Sequence, residues 1–315
     1  MAFEPLEILQ PIHSSLRPKL DPQYVAFHEE HLQYIRPSEE TPWHPDMRKQ
    51  PSPMRLGGLT KEKVGSVQDL DHDNYQLRVF TPEGSKPENG WPCLIWFHGG
   101  GFVMGGLDSE NAFLTIACKR ARCVVVTVNY RHAPEHVYPA AVDDAVSALE
   151  WVASPSGCSA LEIDLSRVAV GGLSAGGGLA AVLSMKSSLL ASPVLLRGQL
   201  LICPVIDNTA TAETVWSESQ HAAWLTPTRM KWYRDKYLPD SSLGSQWTAS
   251  PCFAPQNVLA KSPKTFMAIS ECDLLAPEER RFADQLRGAG VEVEAVEYKG
   301  STHSILVLAG YVCTP

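Results

Sequence analysis

A serine enclosed by glycines lies near the middle of the chain and has the residue types that nucleophilic catalysis needs. In the segment Val168–Leu179, β-branched residues run into Ser174, which Gly172 and Gly176 flank, and small residues follow. A strand that turns sharply into a helix presents such a serine at strained backbone angles, and the glycines leave room where a side chain would strike a neighbouring element. We therefore predict Ser174 as a nucleophile. An ordinary strand-to-helix connection with a serine N-cap also fits this window.

A serine nucleophile needs a base, and the base needs a carboxylate that holds its tautomer. Asp273 follows the apolar segment Thr265–Ser270, and His303 follows the segment Glu292–Tyr298. The chain order serine, acid, histidine, each after a strand, is the order that this serine motif requires. We predict His303 as the base and Asp273 as its orienting acid, although singly Asp273 also fits a helix N-terminus and His303 a surface position.

A glycine run follows the apolar segment Leu94–Phe97 and reads His98-Gly99-Gly100-Gly101-Phe102. Consecutive glycines let the backbone pass close to a substrate and direct N–H groups at a developing oxyanion. By itself such a run is more often a plain loop. Together with the serine motif it predicts a donor for the same anion.

Composition restricts the class of ligand. The chain has 315 residues, a formal net charge of −8 and no cluster of lysine and arginine, which argues against binding of nucleic acid or an anionic membrane surface. The eight cysteines lie singly, without a C-x-x-C pair or metal-ligand spacing, and are predicted to be reduced core residues. Without a leader at Met1–Pro5 or a run of membrane-spanning length, the sequence predicts a soluble cytoplasmic protein with a small neutral or apolar ligand.

Strand-like and helix-like segments alternate from Gly65 onward, which predicts an α/β fold with a mainly parallel sheet. In such a sheet the ligand site lies at the carboxyl ends of the strands, where Ser174 is placed. The predicted strands are Tyr75–Phe80, Cys93–Phe97, Cys123–Val128, Leu200–Val205, Thr265–Ser270 and Glu292–Tyr298, and the predicted helices are Asn111–Arg120, Ala140–Val152 and Pro277–Ala289.

Two parts of the chain fall outside this alternation. Residues 1–55 form an arm with one predicted helix over Asp21–Ile35, in which His28–His31 is expected to be a solvated face. Residues 206–247 form an insertion that is too long for a usual connection and predicts a helical layer of its own. The remaining residues, 56–205 and 248–315, would form the two parts of the core.

Five segments together resemble the hormone-sensitive-lipase-like branch of the α/β-hydrolase superfamily. They are His98–Phe102, Tyr130–His136, Gly172–Gly176, Glu271–Leu275 and Thr302–His303. The resemblance extends over nearly the whole chain from Gly65. It implies an eight-stranded α/β-hydrolase sheet flanked by helices, with a helical cap built from the arm and the insertion, and no metal or organic cofactor.

The resemblance also implies roles for individual residues. Ser174 would be the nucleophile, His303 the general base and acid and Asp273 the orienting acid. The N–H groups of Gly100, Gly101 and Ala175 would form the oxyanion hole. Glu135 would position the oxyanion loop through backbone contacts, with support from His98 and Gly99.

The implied activity is that of a serine carboxylesterase acting on short- to medium-chain carboxylic esters. Aromatic residues of the arm, loop and insertion predict an apolar or ring-bearing group in the pocket; they are Tyr24, Phe27, Trp43, Phe102, Trp216, Trp224 and Trp232. A homodimer is one arrangement found in the family. Two other functions stay open: an acyltransferase, thioester-releasing hydrolase or cyclase with the same three residues, and a non-catalytic small-molecule receptor.

The end of the chain departs from the family pattern. Ser304 and Ile305 stand where the family usually has a glycine and an aromatic residue, and the terminal segment is short. We expect Ile305–Leu308 to pack as a short helix in place of a fuller terminal helix.

Overall fold

One β-sheet forms the centre of the molecule. The computed structural model describes residues 7–50 and 52–311 of the chain. Within these residues the eight strands of this sheet run in the order β1-β2-β4-β3-β5-β6-β7-β8. Strand β2 is antiparallel to both of its neighbours, and all other pairs are parallel. The predicted eight-stranded, mainly parallel sheet is confirmed. The strands are β1 Ser66–Asp71, β2 Gln76–Thr81, β3 Trp91–Phe97, β4 Val124–Asn129, β5 Ile163–Leu173, β6 Gly198–Ile202, β7 Thr265–Ser270 and β8 Val293–Tyr298.

Helices cover both faces of the sheet. The α-helices are α1 Pro22–Phe27, α2 Asn111–Ala121, α3 Ala140–Ala153, α4 Pro155–Leu161, α5 Ala175–Lys186, α6 Pro227–Tyr237, α7 Gln256–Leu259 and α8 Ala276–Gly288. Helices α3, α5 and α8 share one apolar core with the strands, whereas α2 contributes Leu114 and Cys118 to a second core on alternate strand residues. Alternation of side chains along each strand separates these two cores.

Strand β1 and helix α4 were not predicted from the sequence. Strand β1 is almost wholly exposed, because it lies at the edge of the sheet and pairs with β2 alone among the described strands. Such a strand lacks the apolar alternation from which strands are recognised. Helix α4 begins at Pro155, after Ser154, whose side chain accepts a hydrogen bond from the Gly157 N–H. The residues of α4 are mostly small or polar, so the N-cap serine and the proline after it were the main indication of a helix in the sequence.

The arm differs from the single amphipathic helix expected over Asp21–Ile35, in which His28–His31 was to be a solvated face. After α1 the chain continues as one turn of π-helix over His28–Leu32. His28 is 1% exposed, and its ring lies 2.7 Å from the Gln10 carbonyl and 3.3 Å from the Tyr24 hydroxyl. The expectation of a solvated His28 is wrong, because the chain before the helix folds back over it, as the bond from the Gln10 N–H to the Gln33 carbonyl shows.

The end of the chain packs without forming the expected short helix. Residues 303–311 are a series of turns. Ile305 and Val307 nevertheless pack against the core that contains α2, and Leu308 is buried among residues of the arm. The terminal segment therefore contributes apolar contacts to the fold through irregular backbone.

The cysteines of the described residues are all free thiols, namely Cys93, Cys118, Cys123, Cys158, Cys203, Cys252 and Cys272. This agrees with the prediction of reduced cysteines. Cys313 and residues 1–6, on which the prediction of no leader rests, lie outside the described residues. Among the described helices, none is both long enough and apolar enough to cross a bilayer.

The glycines beside Ser174 are needed for the reason that the sequence predicted. A Cβ atom on Gly172 would lie 2.2 Å from the Gly176 carbonyl oxygen, and one on Gly176 would lie 2.0 Å from the Phe97 carbonyl oxygen. Both contacts are with backbone, which cannot move aside as a flexible side chain can. The turn therefore brings helix α5 against the ends of β3 and β5.

We expect Gly176→Ala to lower the free energy of unfolding by at least about 1–3 kcal/mol, because the added methyl group overpacks a backbone contact. Urea unfolding followed by circular dichroism measures the change. Gly288→Ala is the matched control, since a Cβ there meets nothing within 4 Å. It should alter stability by less than about 1 kcal/mol. An equal effect of the two substitutions would contradict the packing argument.

Candidate active site

The strand-to-helix turn holds Ser174 in a strained conformation. Strand β5 ends at Leu173, α5 begins at Ala175, and Ser174 between them has φ 57° and ψ −119°. Its N–H donates to the Ile202 carbonyl at 2.9 Å, and its own carbonyl accepts from the N–H of Val205 at 3.0 Å. A non-glycine residue in this region of φ and ψ costs of order 1–3 kcal/mol and persists only where its surroundings impose it. The backbone contacts to the end of β6 are those surroundings.

Three polar side chains form a hydrogen-bonded chain at the carboxyl ends of β5, β7 and β8. His303 Nε2 lies 2.8 Å from Ser174 Oγ, and His303 Nδ1 lies 2.6 Å from Asp273 Oδ2. Asp273 Oδ1 also accepts from the Leu275 N–H at 3.3 Å. When Nδ1 donates to the Asp273 carboxylate, Nε2 is left with its lone pair toward the serine hydroxyl, which is the arrangement for removing a proton from it.

The hydrogen-bonded side chains of Ser174, His303 and Asp273 are nearly inaccessible to solvent. Ser174 is 7% exposed, Asp273 is 1% exposed, and the side chain of His303 is 14% exposed. A surface cavity of about 600 Å³ includes Arg48 and Glu135 and none of these three residues. Low exposure lowers the local dielectric and strengthens the electrostatic interactions within the site.

The glycine run after β3 forms a tight loop beside the serine turn. Gly100 has φ 123° and Gly101 has φ 62°, both in the region that favours glycine. A Cβ on Gly100 would lie 2.1 Å from the Met104 carbonyl oxygen. Within the described residues, the N–H groups of Gly100, Gly101 and Ala175 donate to no backbone carbonyl. They are the three donors that the family resemblance implies for an oxyanion hole, and the loop over residues 98–103 is named the oxyanion loop.

His98 stabilises the start of the oxyanion loop. It is completely buried, with its ring stacked on Tyr130 at 4.5 Å and its Nδ1 2.7 Å from the Gly99 carbonyl oxygen. The Tyr130 hydroxyl in turn donates to the His98 carbonyl at 2.8 Å. Burial lowers the pKa of His98 to about 4, so the ring is neutral at pH 7. These contacts describe a supporting residue, in line with the expectation for His98.

Glu135 reaches the oxyanion loop through an arginine of the arm. Its carboxylate accepts from Arg48 Nη2 at 2.5 Å. Arg48 also donates from Nε to the Val103 carbonyl and from Nη2 to the Ala133 carbonyl. The expectation that Glu135 makes backbone contacts itself is thus corrected: Arg48 makes them, and Glu135 holds the guanidinium. Sequence reasoning missed Arg48, because it lies 55 residues from Val103 in the chain.

Glu110 is a second residue that the sequence reasoning missed. Its Oε1 accepts from the Gly99 N–H at 3.4 Å, and its Oε2 accepts from the indole N–H of Trp96 at 3.1 Å. It therefore connects the oxyanion loop to β3. Burial raises the pKa of this carboxyl group to about 7.

The raised pKa of Glu110 predicts a dependence of stability on pH. The folded state binds the proton more tightly than the unfolded chain, where the pKa is near the ordinary 4.5. This contribution to stability is complete below about pH 4.5 and is lost as the pH rises through about 7. We expect the free energy of unfolding of the wild-type protein to fall, relative to that of Glu110→Gln, between about pH 5 and about pH 8.

Urea unfolding at several pH values measures the difference between the two proteins. Glu88→Gln serves as the control, because it makes the same change in charge at an exposed position. A wild-type curve parallel to the Glu110→Gln curve at every pH would contradict the prediction.

Two aromatic residues expected in the pocket are packed into the interior. Phe27 is completely buried and lies edge-on to His31 and Tyr311. Trp216 is 2% exposed, and its indole N–H donates to Glu278 Oε2 at 2.7 Å. A buried indole N–H needs an acceptor, and Glu278 satisfies it inside the core. We therefore correct the expectation for Phe27 and Trp216, whose contacts are those of structural residues.

Other aromatic residues of the expected pocket lie around α6. Phe102 stacks on Tyr237 with ring centroids 3.8 Å apart. Trp43 lies edge-on to Trp232 at 5.9 Å, which brings the arm against the insertion. Trp224 has φ 66° and precedes α6. Whether these side chains contact a substrate stays a prediction.

The arm passes directly over the loops that carry Asp273 and His303. The Asp21 N–H donates to the Gly300 carbonyl at 3.0 Å. Tyr24 is 2% exposed, and its hydroxyl interacts with Thr302, next to His303. Burial raises the pKa of Tyr24, so its hydroxyl stays protonated at neutral pH.

Tyr233 on α6 is a further residue that the sequence reasoning missed. A Cβ on Gly101 would lie 2.3 Å from Tyr233 Cγ, so the tyrosine ring packs on the oxyanion loop. Arg229 holds the same helix to the arm, because its Nε donates to Glu39 and its Nη2 to Gln10, both at 2.8 Å. Arg229 is 4% exposed, and both partners come from the arm. Together these contacts place α6 and the arm as a cover over the site.

Comparison with known proteins agrees with this architecture. The family of proteins with the alpha/beta hydrolase fold matches residues 94–307. The chain is 37% identical to an AB hydrolase superfamily protein of Schizosaccharomyces pombe over 96% of this chain and 92% of that protein. It is 30% identical to an ethyl acetate hydrolase of Pseudomonas putida over 78% of this chain and 76% of that protein. The crystal structure of a thermostable esterase from Pseudomonas putida superposes with a TM-score of 0.82 at 29% identity, over 93% and 92% of the two chains.

Proposed function

This chain belongs to the hormone-sensitive-lipase-like branch of the alpha/beta hydrolase family and is a carboxylic ester hydrolase. We propose that it cleaves short- to medium-chain or ring-bearing esters through an acyl-enzyme on Ser174. The observation that carries the proposal is the hydrogen-bonded chain Ser174–His303–Asp273, with distances of 2.8 and 2.6 Å. Two such bonds in series, ending on a buried carboxylate, are what activation of a serine hydroxyl requires.

In the proposed acylation step, Ser174 Oγ forms a bond to the ester carbonyl carbon while its proton passes to His303 Nε2. The carbonyl oxygen takes the negative charge, and the N–H groups of Gly100, Gly101 and Ala175 donate to it. When the bond from carbon to the alcohol oxygen breaks, His303 returns its proton to the leaving alcohol. Asp273 stabilises the imidazolium between these transfers and is not itself protonated.

In the proposed deacylation step, water replaces the alcohol. His303 takes one proton from water as the oxygen attacks the acyl carbon, and the same oxyanion donors stabilise the second tetrahedral intermediate. The bond to Ser174 Oγ then breaks, the proton returns to the serine, and the carboxylic acid leaves. One water molecule is consumed, and the site returns to its starting state.

The proposed substrate size follows from the cover over the site. Tyr233 packs on Gly101 of the oxyanion loop, and Phe102 of that loop stacks on Tyr237. Aromatic rings on the loop side leave an apolar environment for the ester and limit the space beside the reacting carbon. A relative named for hydrolysis of ethyl acetate is in line with small acyl groups.

The test is hydrolysis of p-nitrophenyl esters from acetate to laurate, with labelling by a fluorophosphonate probe. We expect kcat/KM to be highest for short or medium acyl chains and the probe to label the wild-type protein but not Ser174→Ala. A maximum at laurate would overturn the proposed chain length. Labelling that survives in Ser174→Ala would overturn the assigned nucleophile.

Acyl transfer to another acceptor is a second candidate function, which the low exposure of Ser174, 7%, favours. A site that excludes water lets an alcohol or thiol compete for the acyl-enzyme. Adding a primary alcohol during ester cleavage distinguishes the two, since a transferase forms the new ester in preference to the acid. A non-catalytic receptor is disfavoured, because the complete hydrogen-bonded chain would then be unused. Cytoplasmic location and a homodimer stay predictions.

A further inference from the structure

A buried cysteine lies next to the catalytic acid and base. Cys203 follows β6, has φ 43° and is completely buried. Its Sγ, a carboxylate oxygen of Asp273 and a ring nitrogen of His303 all lie within 4.8 Å of one another. Thiolate, imidazole and carboxylate are the three ligand types that Zn²⁺ takes from proteins.

A second buried acid, Glu279, interacts electrostatically with this cluster. Glu279 on α8 is completely buried, and neither of its carboxylate oxygens has a hydrogen-bond partner among the described residues. Its charge acts on both Cys203 and Asp273. A buried polar group without a partner is rare in folded proteins and calls for an explanation such as an absent ion.

We propose that Cys203, Asp273 and His303 form a binding site for a thiophilic divalent cation such as Zn²⁺, with Glu279 beside it, and that binding reversibly inhibits ester hydrolysis. The inhibition rests on the proposed function, whereas the binding does not.

Binding changes protons and bonds in a defined way. The Cys203 thiol releases its proton to solvent, and the His303 proton moves from Nδ1 to Nε2, because thiolate sulfur and a neutral imidazole with a free lone pair on the coordinating nitrogen are the forms that bind metal. The hydrogen bond between His303 and Asp273 gives way to coordination of both by the cation. Metal–ligand distances of about 2.0–2.3 Å place tetrahedral ligand atoms about 3.3–3.8 Å apart. His303 Nδ1 and Asp273 Oδ2, which lie 2.6 Å apart, therefore separate by about 0.7 Å on binding.

Inhibition follows from the same geometry. With Nδ1 on the metal, the ring can no longer form a charged imidazolium stabilised by Asp273. Proton transfer from Ser174 to His303 then becomes unfavourable. A carboxylate of Glu279 would neutralise part of the added positive charge, either as the fourth ligand or from beside the metal.

Binding is measured directly with Co²⁺, which gives an absorption band of thiolate-to-metal charge transfer when a cysteine coordinates it. We expect the wild-type protein to show this band, Zn²⁺ to displace Co²⁺, and ester hydrolysis to fall as Zn²⁺ is added and to recover with a chelator. Cys203→Ala should lose the band. Its rate of ester hydrolysis with added Zn²⁺ should equal its own rate without metal. Glu279→Gln should weaken binding by about 10- to 100-fold.

Cys118→Ala is the matched control, because Cys118 is also completely buried in the same apolar cluster as Cys203. It should keep the band and the inhibition, and circular dichroism establishes that each variant is folded. Absence of the band in the wild-type protein, or its persistence in Cys203→Ala, would overturn the proposal. If the wild-type protein shows the band but has no esterase activity, the result would support the metal site and count against the proposed function.

Discussion

Replacing Ser174 by alanine is expected to lower kcat/KM for p-nitrophenyl acetate by about 10⁴-fold or more, because the attacking oxygen is removed while the oxyanion donors stay. The backbone contacts to Ile202 and Val205 do not involve the hydroxyl group, so the turn should persist. Initial rates over a range of ester concentrations, measured with the wild type and the variant, give the ratio.

Ser184→Ala is the control for this substitution. Ser184 also lies on α5, ten residues after Ser174, and is completely buried. Its hydroxyl oxygen lies 2.8 Å from the Ala181 carbonyl oxygen and 2.9 Å from the Gln199 side-chain oxygen, so its one proton is shared between these two acceptors. It should retain kcat/KM within a few fold while losing some stability. A loss of activity in Ser184→Ala as large as that in Ser174→Ala would show that disturbance of the helix, rather than loss of the nucleophile, was being measured.

Replacing Asp273 by asparagine is expected to lower kcat/KM by about 10⁴-fold. The carboxylate lies 2.6 Å from His303 Nδ1 and holds the tautomer in which Nε2 is free to accept a proton. An asparagine whose amide NH₂ faces Nδ1 favours the opposite tautomer, in which Nε2 carries the hydrogen. Fluorophosphonate labelling of Ser174 should slow by a comparable factor, because the same proton transfer precedes it.

Asp284→Asn makes the same chemical change on α8, where the side chain forms an exposed ion pair with Arg287. Exposed pairs of this kind contribute little to stability, so this variant should match the wild type in activity. Full activity in Asp273→Asn would contradict the assignment of Asp273 and would leave another carboxylate, or none, as the partner of His303.

The fold could be predicted where buried strands carry continuous apolar runs. Strand β7 has the predicted bounds, Thr265–Ser270, because it is a central parallel strand covered on both faces. Strand β1, at the edge, shows no such run and was missed. The helix predicted over residues 21–35 is α-helical over Pro22–Phe27 and continues as a π-helical turn to Leu32. The burial of His28 was not predicted, because it depends on the distant Gln10, and local periodicity carries no information on such contacts.

The candidate site could be predicted where its chemistry depends on local motifs. Ser174 between its glycines, the glycine run from Gly99 to Gly101, and the loop positions of Asp273 and His303 can all be recognised from short stretches of chain. Each sits directly after a strand, and parallel strands bring their carboxyl ends to one edge of a sheet. Proximity of these residues therefore follows once the sheet is recognised.

The sequence by itself determined the mainly parallel sheet and the residues that meet at its edge, because periodicity and turn chemistry act over a few residues. Its five motif segments carried the resemblance to the family. Only the tertiary structure decided which side chains cover and support that edge. Arg48 beside the oxyanion loop, Tyr233 over Gly101 and Glu279, whose charge acts on Asp273, come from distant or separately packed elements. Their partners are selected by how the arm, α6 and α8 pack on the sheet, and packing joins residues irrespective of their separation along the chain.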